Sequence, residues 1–113
     1  MDFGFKVTSQ ARRDLRNIWR YIAQDDPLAA THFCEELFLV AESLQRFPRR
    51  HGSFAKRPNI RKIPYESYLI FYKIDEESHT VEILRFWHGA RSQNRLRLKE
   101  ETAAAYAASP AMG

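Results

Sequence analysis

The sequence holds few of the features that announce a secreted protein, a membrane protein or a cofactor enzyme. One residue in 113, Cys34, is a cysteine, which excludes an internal disulfide and a cysteine-rich zinc site. No apolar run approaches the ~20 residues that a membrane-spanning helix needs. The N-terminus, MDFGFKV, is too polar for a secretory signal, and its apolar part is too short. No internal repeat, Gly-rich phosphate loop or metal-ligand spacing occurs. The expectation is a cytoplasmic protein without metal or cofactor.

What is present suits one small domain. The hydrophobic share of 44% is ordinary for a globular chain, and 113 residues suffice for one modest core. Charge is distributed unevenly. Residues 46–73 carry eight Lys/Arg against a single acid, Glu66, while the segments on either side are slightly acidic. A local excess of this kind attracts nucleic acid or an acidic protein, or is a solvated basic loop.

The stretch 60–91, IRKIPYESYLIFYKIDEESHTVEILRFWHGAR, organises the rest. Residues 67–74 and 80–87 are β-branched and aromatic runs separated by the turn-like Asp75-Glu76-Glu77-Ser78-His79, which predicts an antiparallel hairpin. Tyr68, Ile70, Tyr72 and Ile74 share one face of the first run, and Leu69 and Phe71 share the other. Apolar groups on both faces predict a central strand, covered by helices on one side and usable as a groove on the other. The second run stops at the polar His88-Gly89-Ala90-Arg91. Side chains at the end of a stiff strand are accurately placed, so a working surface is expected there.

Upstream, the alternation of Phe3, Phe5 and Val7 predicts a half-buried strand, and Ser9 suits a helix N-cap. Ala11, Leu15, Ile18, Trp19 and Ile22 recur at helical spacing, with the four arginines Arg12, Arg13, Arg16 and Arg20 on an adjoining stripe. Asp26-Pro27 opens a second helix whose stripe is Phe33, Leu37, Val40, Leu44 and Phe47, ending at Pro48. A link near residues 23–26 makes the pair an antiparallel hairpin. Phe38 and Leu39 fall outside the stripe and leave apolar surface for a second contact. Cys34 lies beside the stripe as a small hydrophobe. Residues 48–59, with Arg49, Arg50, Lys56 and Arg57, read as a basic loop, and residues 60–63 as a short strand limited by Pro64. Residues after Arg91 predict a helical turn or two. The alanine-rich 99–113 reads as a flexible tail, so removing 103–113 should cost little stability. The order β-α-α-β-β-β predicts an α+β domain over residues 1–98, a helical hairpin packed on one face of a small antiparallel sheet.

The chain resembles the RelE/ParE superfamily of toxins from type II toxin–antitoxin modules, the ParE branch above all. The matching residues are Ala11, Asp14, Leu15, Ile18 and Tyr21-Ile22-Ala23, then Pro27, Ala29-Ala30, Leu44 and Pro48. They continue through Ile60-Arg61, Tyr68, Ile70-Phe71-Tyr72 and Val81-Glu82-Ile83-Leu84-Arg85 into His88-Gly89-Ala90-Arg91, so the similarity spans residues 3–95. The ending HGAR after VEILR is its most specific part. The resemblance implies the same fold, a role in growth arrest and plasmid stabilisation, and a cognate antitoxin forming a hetero-oligomer. ParE-like members poison DNA gyrase, RelE-like members cut mRNA in the ribosome, and a non-toxic regulatory role is a third case. Function within one fold rests on the site.

An RNA-cleaving site needs a base for the 2′-hydroxyl, cations for the phosphorane and an acid for the leaving oxygen. His88, Arg91, Arg61, Arg85 and Tyr72 are the residues available for those roles, with Tyr68 able to stack on a base. Only Lys62 and Lys73, and the acids Glu66 and Glu82, lie near the strands, which is a thin acid–base set. The alternative is that Arg85 and His88 tie the strand end to neighbouring chain. Docking on gyrase is therefore the favoured reading. Its contact residues, and those for an acidic antitoxin tail, are sought among Arg12, Arg16, Arg20, Phe38, Leu39, Arg49, Arg50, Lys56, Arg57, Arg61, Tyr68 and Trp87. Such a tail is expected to fold on binding, as an amphipathic helix in a groove and an added edge strand.

Overall fold

The computed structural model describes residues 3–50, 52–54, 57–91, 96 and 98, and for 50, 53, 54, 57 and 58 the backbone alone. The expectations for Lys56 and for the tail 99–113 lie outside the described residues, as does most of the turn expected after Arg91. Strand β1 (Gly4–Val7) leads into helices α1 (Ser9–Ala23) and α2 (Pro27–Glu42), then strands β2 (Ser53–Phe54), β3 (Arg57–Tyr65), β4 (Tyr68–Asp75) and β5 (Thr80–His88). The sheet order is β1-β5-β4-β3-β2. The expected α+β architecture is present. Because β1 runs parallel to β5 while the other pairs are antiparallel, the sheet is mixed. No helix among the described residues is long and apolar enough to cross a membrane.

Both helices start for identifiable reasons. Thr8, not Ser9, is the N-cap of α1: its backbone is extended, and its Oγ1 accepts the Ala11 N–H at 3.1 Å. The same hydroxyl donates to the Leu84 carbonyl at 3.1 Å, so one buried side chain ends β1, begins α1 and ties both to β5. Asp26 caps α2 through the Ala29 N–H, with Pro27 at the first helical position as expected. Helix α2 stops at Glu42, short of Pro48, and a 3-10 turn Ser43–Gln45 follows. Phe47, expected in the core stripe, is instead 75% exposed, at φ 49° in the left-handed region. The five residues 43–47 leave regular α-helix, which rotates it off the buried face. Trp19 also lies at the rim, its Nε1 donating to Thr31 Oγ1 at 3.0 Å. Small residues fill the contact side of α2 (Ala30, Cys34 and Ala41), which lets the hairpin pack closely. The Cys34 thiol donates to the Leu15 carbonyl, and burial pushes its pKa up.

The β4–β5 hairpin holds to within a residue of its expected limits. Tyr68, Ile70, Tyr72 and Ile74 pack in the cluster under the helices, while Leu69 and Phe71 join Ile60, Leu84 and Trp87 on the other face. That other face is less open than expected, since Leu96 and Leu98 pack against it. Strand β3 is longer than residues 60–63 and passes through Pro64. The proline is tolerated because β2 pairs as far as Arg61 and the Gly52 carbonyl takes the Lys62 N–H, so Pro64 lies beyond the pairing on that side among the described residues.

A β-bulge interrupts β5. Phe71 stands opposite Arg85 and Tyr72 opposite Ile83, so Leu84 is the extra residue. Without it, strict alternation would send Phe86 and His88 to the face away from Val81 and Ile83. With it, Val81, Ile83 and Phe86 share the helix-side core, and Leu84 and Trp87 take the opposite one.

Candidate functional site

The site is built where β5 outruns its neighbour. Strand β1 pairs with β5 from Gly4 opposite Thr80 as far as Val7 opposite Ile83, so among the described residues the later amides on that edge have no strand to bond. Asp14, facing the sheet from α1, fills the gap. Its carboxylate accepts the Phe86 N–H at 3.1 Å, Arg85 Nε at 2.7 Å and Arg85 Nη2 at 2.9 Å, and Gln10 Nε2 adds a fourth donor at 3.1 Å. Both ionic side chains are less than a tenth exposed. A buried pair with this many charge-assisted bonds is well compensated, and it locks the strand just past its bulge.

Past that lock the strand ends in HGAR. Gly89 donates its N–H to the Ser67 carbonyl at 2.7 Å, and a β-carbon there would lie 3.1 Å from that oxygen, so the close approach selects glycine. Arg91 turns back to lay its guanidinium 4.0 Å from the Trp87 ring centre, and Trp87 Nε1 donates to the Arg91 carbonyl at 3.2 Å. His88 meets Tyr68 edge-on, ring centres 5.0 Å apart, and its Nδ1 accepts the Ala90 N–H at 3.1 Å. His88, Arg91, Tyr68 and Phe86, with Asp14, Asn17, Ile18 and Tyr21 from α1, line a cleft of about 420 Å³.

The hydrogen bonds limit what this cleft does chemically. With Nδ1 accepting the Ala90 N–H, the neutral tautomer of His88 that fits this bond is the one with its proton on Nε2. Burial, with Cys34 and Tyr21 nearby, pushes the Tyr68 phenol above its ordinary value, so it stays protonated. Asp14 is the one carboxylate among the described lining residues, and it is bound to Arg85. What faces solvent is aromatic surface edged by one guanidinium and a few neutral polar groups.

The other residues singled out in the sequence lie elsewhere. Arg85 is buried against Asp14, its guanidinium 5.0 Å from the Trp87 ring. Trp87 is 1% exposed and leaves no ring surface for a partner. Tyr72 is buried on the helix side, where its hydroxyl donates to the Pro48 carbonyl at 2.6 Å. Arg61 donates to the Arg49 carbonyl at 3.3 Å. It sits opposite Tyr72, four residues or about 14 Å along the sheet from the Tyr68–His88 level, and does not line the cleft. Glu82 is on the far face between Lys6 and Lys73 in the register, and Glu66 forms the β3–β4 turn. Arg49 pairs with Glu76. Phe38 and Leu39, with Leu15, Trp19, Thr31, Cys34 and Glu35, line a second groove of about 520 Å³ along the outer seam of the helices. Arg12, Arg16 and Arg20 follow that seam at helical spacing. The side chains of Arg50, Lys56 and Arg57 lie outside the described residues.

Sequence reasoning did not anticipate the contribution of α1. Asp14, Asn17, Ile18 and Tyr21 stand at i, i+3, i+4 and i+7, a spacing that puts them on one flank. The arginine stripe on the other flank has equally good spacing, so the pattern alone does not choose between them.

The comparisons bear on the family and the fold. Residues 5–93 match the family model for the ParE toxin of the type II toxin–antitoxin system parDE. Toxin RelE1 of Caulobacter vibrioides is 30% identical over 91 residues, covering 79% of this chain and 96% of the relative. The fold is similar to a chain of the chromosomal ParDE TA system from P. aeruginosa, with TM-score 0.67 and 20% identity, over 76% of this chain and 95% of that one. It is also similar to a chain of the RelBE2 toxin–antitoxin complex of Mycobacterium tuberculosis, with TM-score 0.60 and 27% identity, over 78% of this chain and 99% of that one. With a family match over most of its length and a strand end built as described, the chain belongs to the ParE toxin family of type II toxin–antitoxin systems.

Proposed function

We propose that this protein is a toxin that acts by docking on DNA gyrase, without acid–base chemistry of its own, and is neutralised by a cognate antitoxin. The observation that carries the reading is the bond from the Ala90 N–H to His88 Nδ1, in a cleft whose one described carboxylate is bound to Arg85. A cleft of tyrosines, phenylalanine and arginine on a rigid strand end is the composition of a protein-binding anchor, where a few buried aromatic and arginine contacts dominate. The choice of gyrase follows the family's ParE branch. The antitoxin is expected to lay an amphipathic helix in the seam of Trp19, Phe38 and Leu39, its acids toward Arg12, Arg16 and Arg20. Its affinity should then weaken with added salt.

The second reading, mRNA cleavage in the ribosome, is favoured by one observation: Tyr68, His88 and Arg91 do meet in one cleft. A supercoiling assay run beside a translation assay separates the two. Docking predicts inhibition of gyrase, with His88→Gln keeping most of the effect because glutamine keeps size and polarity. Loss of a proton-transfer group would instead reduce cleavage by about 10²–10⁴. Cleaved mRNA in the wild type, abolished by His88→Gln in a folded protein, would refute docking.

A further inference from the structure

At the far end of the sheet from the cleft, Phe47 is 75% exposed although its backbone sits at φ 49°. Both features are unfavourable for the isolated molecule, since a bulky residue resists the left-handed region and a phenylalanine ring resists water. The turn that carries it is nonetheless firmly held. Pro48 next to it is buried under the Tyr72 hydroxyl, and Arg61 binds the Arg49 carbonyl. The preceding residues are tied to the chain just before β1, where the Phe3 N–H donates to the Gln45 carbonyl at 3.0 Å and Gln45 Nε2 returns a bond to the Phe3 carbonyl at 2.8 Å. A ring displayed on a clamped turn loses little freedom when it is buried by a partner, which is how an anchor residue gains affinity.

We propose that Phe47 is a second docking anchor, one that inserts into an apolar pocket on the toxin's protein target. The inference rests on the docking reading above and extends it to a surface that reading does not use. Strand β5 runs nine residues from Thr80, beside this turn, to His88, so the two surfaces stand about 26 Å apart and a large target spans both. The charges around the ring select the kind of partner. Arg46 and Arg49 flank it, while Glu76, paired with Arg49, belongs to the acidic Asp75–Glu77 turn. Arg49 and Glu76 neutralise each other beside the ring, so among the described residues its surround carries both signs of charge and no uniform positive field for a polyanion. An apolar pocket on a protein surface fits the ring itself.

The experiment compares wild type, Phe47→Asn and Phe47→Trp for thermal midpoint, for inhibition of gyrase supercoiling and for growth arrest on induced expression. Asparagine accepts the left-handed backbone, so the Phe47→Asn midpoint should equal or exceed that of wild type. The dose of Phe47→Asn needed for inhibition should rise about thirtyfold, the scale of an anchor residue, and Phe47→Trp should restore it. A lowered midpoint in Phe47→Asn would show that the ring is structural and overturn the proposal. So would retention of full growth arrest by Phe47→Asn. Binding of single-stranded RNA that is lost in Phe47→Asn would assign the ring to base stacking instead. If wild type arrests growth but leaves gyrase untouched, the choice of gyrase falls, and the growth-arrest comparison still decides the role of Phe47. A wild type that does neither overturns both.

Discussion

Removing the carboxylate of Asp14 should be among the most damaging single changes to this fold. In Asp14→Ala the Arg85 guanidinium stays buried without its counter-charge, and the Phe86 N–H loses the carboxylate acceptor it has at that strand edge. Breaking a buried pair from one side typically costs about 3–5 kcal/mol. Total stability for a domain of this size is roughly 5–15 kcal/mol, so the variant should sit close to the unfolding threshold. At about 4 °C per kcal/mol, the thermal midpoint should fall by about 12–20 °C. The double variant Asp14→Leu/Arg85→Met removes both charges together. It should recover most of the loss, leaving about 1–3 kcal/mol for the orphaned Phe86 amide. Urea unfolding of Asp14→Leu, Arg85→Met and the double variant measures the coupling directly. A loss below about 1 kcal/mol in Asp14→Ala, the scale of an exposed pair, would show that water reaches the guanidinium and refute the argument.

Two further outcomes are expected. Tyr72→Phe leaves the Pro48 carbonyl without its buried 2.6 Å donor and should cost about 1–2 kcal/mol in urea unfolding; an unchanged midpoint would mean the turn is held by other contacts. Asp75 is held below the usual carboxylate range, chiefly by the Ser78 N–H and then by its hydroxyl and the Glu77 N–H. Its depressed folded value means that its contribution is present at neutral pH and lost as pH falls through that value. The thermal midpoints of wild type and Asp75→Asn should therefore differ by a constant amount above about pH 5, and the gap should shrink from about pH 4 downward and close only below the depressed folded value. A gap independent of pH would contradict this assignment.

Much of the fold was legible because local rules and burial agree. The alternation in residues 67–74, Asp26-Pro27 and the acidic turn at 75–79 each specify one local structure, and the tertiary contacts support each of them. Legibility failed where a long-range partner decided between local options. Thr8 and Ser9 are equally good caps until the Leu84 carbonyl selects Thr8. Phe47 reads as core by spacing, but the chain leaves helical geometry before reaching it.

The same division holds for the site. Periodicity and turn chemistry are local properties, so the apolar strand ending in HGAR and the amphipathic helix with four arginines before it were legible without the fold. Tertiary structure alone decided which side of the sheet His88 faces, since one unpaired residue, Leu84, reverses every side chain after it. It also decided that Asp14 meets Arg85 across 71 residues of chain, and that Tyr72 and Arg61 clamp a distant turn instead of joining the cleft. A carboxylate, a phenol and a guanidinium are each capable of chemistry or of support. Which one prevails depends on the partner that folding brings within hydrogen-bonding distance.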